Sequence, residues 1–294
     1  MQLLTTAEAA DYLRLKERKL YELVAEGAIP CTKVTGRWLF PKAELDQWLS
    51  LNLVRPDGMA LADPPPIVGG SHDPLLEWTL RESGSGLATL PEGSETGLRR
   101  FVTGGVLAAA IHLHALEAES VDANVEALRA RSDLRDAVLI GFVRREQGLL
   151  VGPGNPMRLR TVEDMARVNA RVVIRPAGAG AQLLLLALLH RANIALEKLC
   201  IAGPAVPTGP DVAQAIRAGR ADCGIATRSV ANAAGLDFVP ILWERFDLAV
   251  RNRDYFRSPL QRFLTFLRTP EFSARSRELG GYEIASAGSI RYSA

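Results

Sequence analysis

Three stretches of this 294-residue chain place small residues beside hydroxyls, histidine or a cation where a strand would hand over to a helix. Such turns leave backbone N–H groups unpaired and able to hold an anion. The first is Gly69-Gly70-Ser71-His72-Asp73 before Pro74, the second Pro91-Glu92-Gly93-Ser94-Glu95-Thr96-Gly97, and the third Arg175-Pro176-Ala177-Gly178-Ala179-Gly180-Ala181-Gln182. Three turns of this kind imply one cleft. The candidate ligand-binding residues are therefore Ser71, His72, Asp73, Ser94, Thr96, His112, Arg175, Gly178 and Arg228, with a surface salt bridge as the competing role for Arg228. His72, His112 and His114 are three of only four histidines. His112 and His114 stand two apart at a strand end, on one side of the strand, so a metal or pH-sensing role has to be weighed against that of hydrogen-bonded histidines lining a cleft. The second role is the expectation, and no metal or cofactor is assigned. No Gly-x-Ser-x-Gly elbow, Walker loop, supported Cys-His pair or metal-binding helix motif occurs, so catalysis is not expected.

A second constellation lies near the N-terminus. Arg14, Lys16, Arg18 and Lys19 cluster at the start of one helical segment, and Lys33, Arg37 and Lys42 lie on or beside a hairpin. This is the composition of a phosphate-reading surface. Residues 1 to 50 hold seven basic and seven acidic side chains, so affinity would rest on segregation of charge and not on its excess. Single-copy binding should be weak, and a homodimer or higher homo-oligomer is expected.

The elements that would position these groups follow from periodicity. Thr6 is expected to cap a helix over Ala7 to Leu13, and a second helix runs from Glu17 to Ala25 with Gly27 as its left-handed stop. Cys31 to Phe40 reads as a hairpin turning at Thr35-Gly36, and Pro41 is expected to open a third helix through Leu45, Trp48 and Leu49. Val54-Arg55-Pro56-Asp57-Gly58 and Asp63-Pro64-Pro65-Pro66 form a linker. From Ile67 onward, short apolar strands such as Gly86 to Leu90, Val106 to His112 and Ala137 to Val143 alternate with amphipathic helices, the pattern of an α/β domain with mostly parallel strands.

Bulk properties set limits. A net charge of +2 gives no chain-wide drive toward nucleic acid. Cys31, Cys200 and Cys223 are too scattered for disulfides or structural zinc. The absence of a basic, apolar leader and of any apolar run near ~20 residues predicts a cytoplasmic protein without a membrane partner.

The run Leu4 to Leu13, with Lys19-Leu20-Tyr21, Gly27-Ala28-Ile29-Pro30, Gly36-Arg37-Trp38-Leu39-Phe40-Pro41 and Leu45-Asp46-Gln47-Trp48-Leu49, resembles the MerR-like excisionase family of winged helix-turn-helix domains. That resemblance implies double-stranded DNA as partner, with Lys16, Arg18, Lys19, Tyr21, Lys33 and Arg37 as contact residues. Ile67 to Ser71, Gly93-Ser94, Ala110-Ile111-His112-Leu113, Gly152 to Pro156, Arg175 to Gln182, Ala213 to Gly224 and Asp237 to Leu242 resemble the periplasmic-binding-protein-like domain of molybdate-related regulators. In such domains a small ligand, often an oxyanion, sits between two lobes joined by crossing segments, here expected near Gly141 to Arg145 and Trp243 to Asp247.

The resemblances imply an α/β chain with a winged helix-turn-helix at 1–52, a linker at 53–66 and a two-lobed sensor at 67–294. Lobe 1 would span about 67–142 and 244–294, and lobe 2 about 143–243. The third turn departs from the family pattern, Asn-Arg-Gln-x-Gly-Ser-Gly-Thr-Arg, at Ala179, Ala181 and Gln182. Each lost donor to a charged acceptor removes about 1.5–3 kcal/mol, so the ligand stays open between a molybdate- or tungstate-like oxyanion and another small anionic or polar molecule. The expected function is a one-component transcriptional regulator; the alternative is a cytoplasmic ligand-binding protein whose N-terminal domain mediates protein contacts.

Overall fold

A computed structural model describes residues 2–51, 63–114 and 122–293 of the chain, without the side chains of 47, 50 and 51. Two compact units result, Met1–Pro56 and Asp57–Ala294. Most of the Pro-rich stretch read as a linker lies outside the described residues.

The first unit runs β1 (Leu3–Thr5), α1 (Thr6–Tyr12), α2 (Glu17–Ala25), β2 (Thr32–Val34), β3 (Arg37–Pro41) and α3 (Lys42–Leu51). The cap of α1 is Thr5, one residue earlier than expected, because Thr5 and Glu8 close a reciprocal capping box. Gly27 adopts the left-handed conformation after α2, as its lack of a Cβ permits. Pro41 does not open α3. It ends β3, where it pairs with Leu3 of a strand too short to leave a periodic signal. Leu4, Ala9, Ala10, Leu20, Ile29, Phe40 and Leu45 form the core. Trp38 and Trp48 pack against it, and Trp48 Nε1 donates to the Ala28 carbonyl at 2.7 Å.

The second unit begins with β4 (Ile67–Gly70), α4 (Pro74–Glu82), β5 (Ala88–Pro91), α5 (Ser94–Val102), β6 (Ala108–Ile111), α6 (Ala123–Arg129) and β7 (Ala137–Val151). It continues through α7 (Val162–Arg167), β8 (Arg171–Val173), α8 (Gly180–Arg191), β9 (Cys200–Ile201), α9 (Gly209–Arg217), β10 (Cys223–Thr227) and α10 (Arg228–Ala234). The chain returns along β11 (Asp237–Arg251) to α11 (Ser258–Phe266), α12 (Pro270–Leu279), β12 (Tyr282–Glu283) and β13 (Ile290–Ser293).

The strand order β5-β4-β6-β11-β7-β10-β8-β9 defines two lobes threaded by the antiparallel pair β7 and β11. One end of β11 pairs with β6, while the far end of β7 pairs with β10. The sheet is therefore mixed. Parallel pairing is confined to the flanks, β5-β4-β6 and β10-β8-β9. The chain enters and leaves the second lobe through one crossing, so β7 and β11 must lie side by side and run in opposite directions. Each lobe packs helices on both faces of its strands, as Leu76, Phe142 and Phe263 do on one side of lobe 1 and Leu98, Phe101 and Leu139 on the other. The second lobe is built the same way around Leu149 and Leu184 and around Leu150 and Val212.

Backbone approach is close where α5 meets the end of β4. A Cβ on Gly97 would lie 2.3 Å from Gly70 Cα. Gly97→Ala is therefore expected to force α5 away from β4 and to lower the stability of the second unit by about 1–3 kcal/mol, measured by urea unfolding. An unchanged midpoint would show that this contact is soft.

Candidate functional site

The ends of β4 and β6 in lobe 1 face the ends of β8 and β10 in lobe 2. Between them lies a small chamber of about 20 Å³, lined by residues of both lobes and of the crossing strand β7. Lobe 1 contributes Ser71, His72, Pro74 and His112; lobe 2 contributes Arg175, Ala179, Gly180, Ala181, Gly209, Ala226, Thr227 and Val230; β7 contributes Arg145 and Gln147. The chamber is narrow at its floor because α8 starts against β6. A Cβ on Gly180 would sit 2.2 Å from the His112 ring and carbonyl oxygen.

Of the nine sequence candidates, Ser71, His72, His112 and Arg175 line this chamber. Asp73 does not line it: its Oδ1 caps α4 by accepting from Leu75 N at 2.9 Å and Leu76 N at 3.1 Å. Ser94 is fully buried behind the wall, where its hydroxyl meets Ser71 Oγ at 2.8 Å and the His112 backbone. Thr96 accepts from Arg99 on α5, and the carbonyl of Gly178 accepts from Glu95 N at 3.2 Å. Arg228 turns away, paired with Glu146 and stacked 4.4 Å from the Phe238 ring centroid. The hydroxyls and small residues of the turns thus serve mainly to fasten strand ends to helix starts.

Arg175 is the cation the chamber can offer. Its guanidinium donates to the carbonyls of Val206 at 2.9 Å and Pro207 at 2.5 Å, neither of which neutralises it. Burial, reinforced by the positive charge of Arg145, pushes its pKa down to about 10, so it remains cationic at neutral pH. The Gln182 side chain accepts from Arg175 N at 3.0 Å and braces the same turn. No side chain caps α8, whose first residues Gly180 and Ala181 face the chamber, so its opening N–H groups add partial positive charge there.

Beneath the chamber is an ionic hub that the turn pattern did not reveal. Arg145, 1% exposed, donates to Asp73 Oδ2 at 2.8 Å and to Glu244 Oε1 at 2.6 Å. Glu244 faces Arg145 directly across the β7–β11 ladder. It also accepts from Gln147 Nε2 at 2.9 Å and lies 3.0 Å from His112 Nδ1 and 2.8 Å from His114 Nε2. Tyr282 Oη donates to Asp73 at 3.1 Å, tying the C-terminal segment to the same centre. The signal in the sequence was Arg144-Arg145-Glu146-Gln147 in the middle of an otherwise apolar run from Ala137 to Val151.

Among the described residues, His112, His114 and Glu244 bring potential metal-ligating atoms within 4.8 Å of one another. Glu244, however, already receives donors on both oxygens, and a dication would share it with the Arg145 guanidinium. The contacts describe a hydrogen-bond hub in which one guanidinium faces two carboxylates and the two imidazoles share the second oxygen of Glu244. Burial opposes ionisation of Glu244, but the positive charge of its partners, Arg145 among them, holds its carboxyl well below the usual range. Burial likewise keeps the proton off His112, whose pKa is pushed down to about 4 against the attraction of Glu244.

Between pH 6.5 and 4, the unfolded chain therefore binds a proton at position 112 that the folded chain refuses, and stability falls as pH falls through this window. Imidazole NMR of the folded protein should show His112 neutral at pH 5.5. His112→Gln should flatten the pH dependence of unfolding in that range, whereas a His112 that titrates near 6.5 would contradict the hub.

Comparison with known proteins agrees with this architecture. Residues 3–50 match the model of a helix-turn-helix domain of excisionase-like type, and residues 77–268 match that of the PBP superfamily domain. The Bacillus subtilis (strain 168) protein YvgK, described as uncharacterized, is 23% identical over 97% of this chain and 96% of its own. A putative phosphate ABC transporter substrate-binding protein from Clostridium perfringens, with bound phosphate, superposes with a TM-score of 0.52 at 9% identity, over 72% of this chain and 96% of that one. The tungstate ABC transporter of Geobacter sulfurreducens gives 0.51 at 13% identity, over 72% and 97%. These likenesses establish the fold of the second unit. With a family model spanning most of its length, the chain belongs to the PBP superfamily, carrying a helix-turn-helix domain ahead of its two-lobed body.

Proposed function

We propose that this protein is a one-component, DNA-binding transcriptional regulator that senses a small anion in the cleft between its lobes. The observation that carries the reading is the joining, in one chain, of a helix-turn-helix with an exposed basic face to a cleft that offers the Arg175 guanidinium without a carboxylate paired to it. Lys16, Arg18, Lys19 and Tyr21 on or beside α2, with Lys33 and Arg37 on the wing strands, are all exposed. Lys33 Nζ lies 5.3 Å from the Trp38 ring centroid, which holds the wing cation near the hairpin. The neighbours that bind phosphate and tungstate support an anion as ligand.

Ligand closure of the lobes is the step that would change DNA affinity, since a ligand can bias only states to which it binds differently. A cytoplasmic homodimer fits this role, because one small domain of balanced charge reads few bases weakly. Binding without turnover is the companion proposal. The Ser94 hydroxyl is committed to backbone and to Ser71, and the His112 ring to Glu244, so neither is poised as nucleophile or base.

One feature favours the second reading, a ligand-binding protein whose first unit contacts protein. Glu22 pairs with both Arg18 at 3.4 Å and Lys19 at 3.1 Å, offsetting charge on the very face that would meet DNA. The readings part on mutation. Fluorescence anisotropy on the DNA upstream of its own gene should show salt-dependent binding, and the double variant Arg18→Ala, Arg37→Ala should reduce the log–log salt slope by about 2. Phosphate binding by calorimetry should survive that change, whereas Arg175→Ala should weaken phosphate about 10- to 100-fold. Wild-type protein that binds DNA without salt dependence, or not at all, would overturn the regulator reading.

A further inference from the structure

One polar atom of the chamber is left over by the hub. Gln147 is 2% exposed and lines the chamber, yet its Oε1 has no hydrogen-bond partner among the described residues. The opposite end of the amide, Nε2, donates to Glu244 Oε1 at 2.9 Å. Turning the amide over does not remove the orphan. Glu244 Oε1 also accepts from Arg145 Nε at 2.6 Å, so it is an acceptor, and an amide oxygen in place of Nε2 would set acceptor against acceptor. The group Gln147 offers the ligand is therefore a carbonyl oxygen.

This acceptor changes which anions fit. Arg175 and the opening turn of α8 suit negative oxygens. A fully deprotonated oxyanion has acceptors only and would press one of them against Gln147 Oε1. An anion that carries an O–H or N–H satisfies both ends of the chamber, and an unmet buried acceptor is costly enough for the difference to be selective.

A second observation concerns size. Sharing His72, Pro74 and Val230 with the chamber, a larger space of about 530 Å³ lies beside it, walled by Pro210, Ala213 and Ala233, with Glu77 and Arg217 also on its lining. That wall is mostly apolar and far larger than an inorganic oxyanion needs. Small-molecule sites commonly pair a few fixed polar groups with such a surface.

We propose that the ligand of this cleft is an organic anion bearing a hydrogen-bond donor beside its charged group. The charge rests on Arg175 and the start of α8, the donor meets Gln147 Oε1, and the carbon body lies toward α9 and α10. The proposal rests on the cleft being the ligand site and goes further by naming the ligand's class.

Calorimetry on the full chain at pH 5.5 with four probes separates the two features: sulfate, inorganic phosphate, phenyl sulfate and phenyl phosphate. With a second phosphate pKa near ~6, the phosphate probes keep an O–H at this pH that the sulfates lack. Phenyl phosphate is expected to bind at least tenfold tighter, about 1.4 kcal/mol, than phenyl sulfate, which lacks the donor, and than inorganic phosphate, which lacks the body. Gln147→Met should erase the first preference and keep the second, and Ala233→Trp, at an exposed position of the wall, should do the reverse. If phenyl sulfate matches phenyl phosphate, or inorganic phosphate does, the proposal is overturned while the cleft remains the site. Absence of any Arg175-dependent binding would instead sink the cleft reading itself. The wild-type ranking decides the matter even where Gln147→Met fails to fold.

Discussion

A guanidinium buried in the middle of a sheet is the constraint on which the second unit depends. Removing a cation from water costs several kcal/mol, and the cost is met only by close, well-aligned partners. Arg145 finds them in Asp73, at the start of α4, and in Glu244, its cross-strand partner on β11. Three distant segments must therefore reach one point for the fold to be tolerable, and that point lies where the chain crosses between lobes. Taking away a single carboxylate would leave the guanidinium with one anionic partner and an unmet donor.

The same neutralisation decides what the cleft can do. Arg145 lines the chamber, but Asp73 and Glu244 more than offset its charge, so it does not act as a free cation toward a ligand. Arg175, whose guanidinium among the described residues bonds carbonyl oxygens, keeps its charge available. His112 and His114 turn toward Glu244 and complete the hub. What reaches the ligand is thus spare: one guanidinium, the uncapped start of α8, and the carbonyl of Gln147. Tyr282 links Asp73 to Ser229 Oγ, 2.8 Å away on α10, so the returning C-terminal segment also touches both lobes at this centre.

Much of this was legible in the residues. The α2 boundaries, the hairpin at Thr35-Gly36 and two of the three strand-to-helix turns expected at one chamber followed from periodicity and from glycine placement; the turn at 91–97 contributes no lining residue. Other features were hidden for physical reasons. β1 is three residues long and carries no repeat, and Pro41 fits a strand edge as well as a helix start. The long antiparallel pair β7–β11 looked like shorter strands because its apolar pattern breaks at the charged crossing. That break was the site. Asp73, Ser94 and Thr96 have ligand-binding side chains in the right turns, but capping and bracing use the same chemistry, and only geometry separates the two roles. Gln147 carried no motif at all; its meaning depends on Glu244, 97 residues further along the chain.

The central claim is that a ligand bridges the two lobes across the hub. Hydrogen–deuterium exchange of the full chain, with and without saturating phenyl phosphate, tests this directly. The account predicts that backbone amides at His72 in lobe 1 and at Gly180 and Ala181 in lobe 2 become protected together. Protection confined to one lobe, or absent from both while the ligand binds elsewhere, would contradict it.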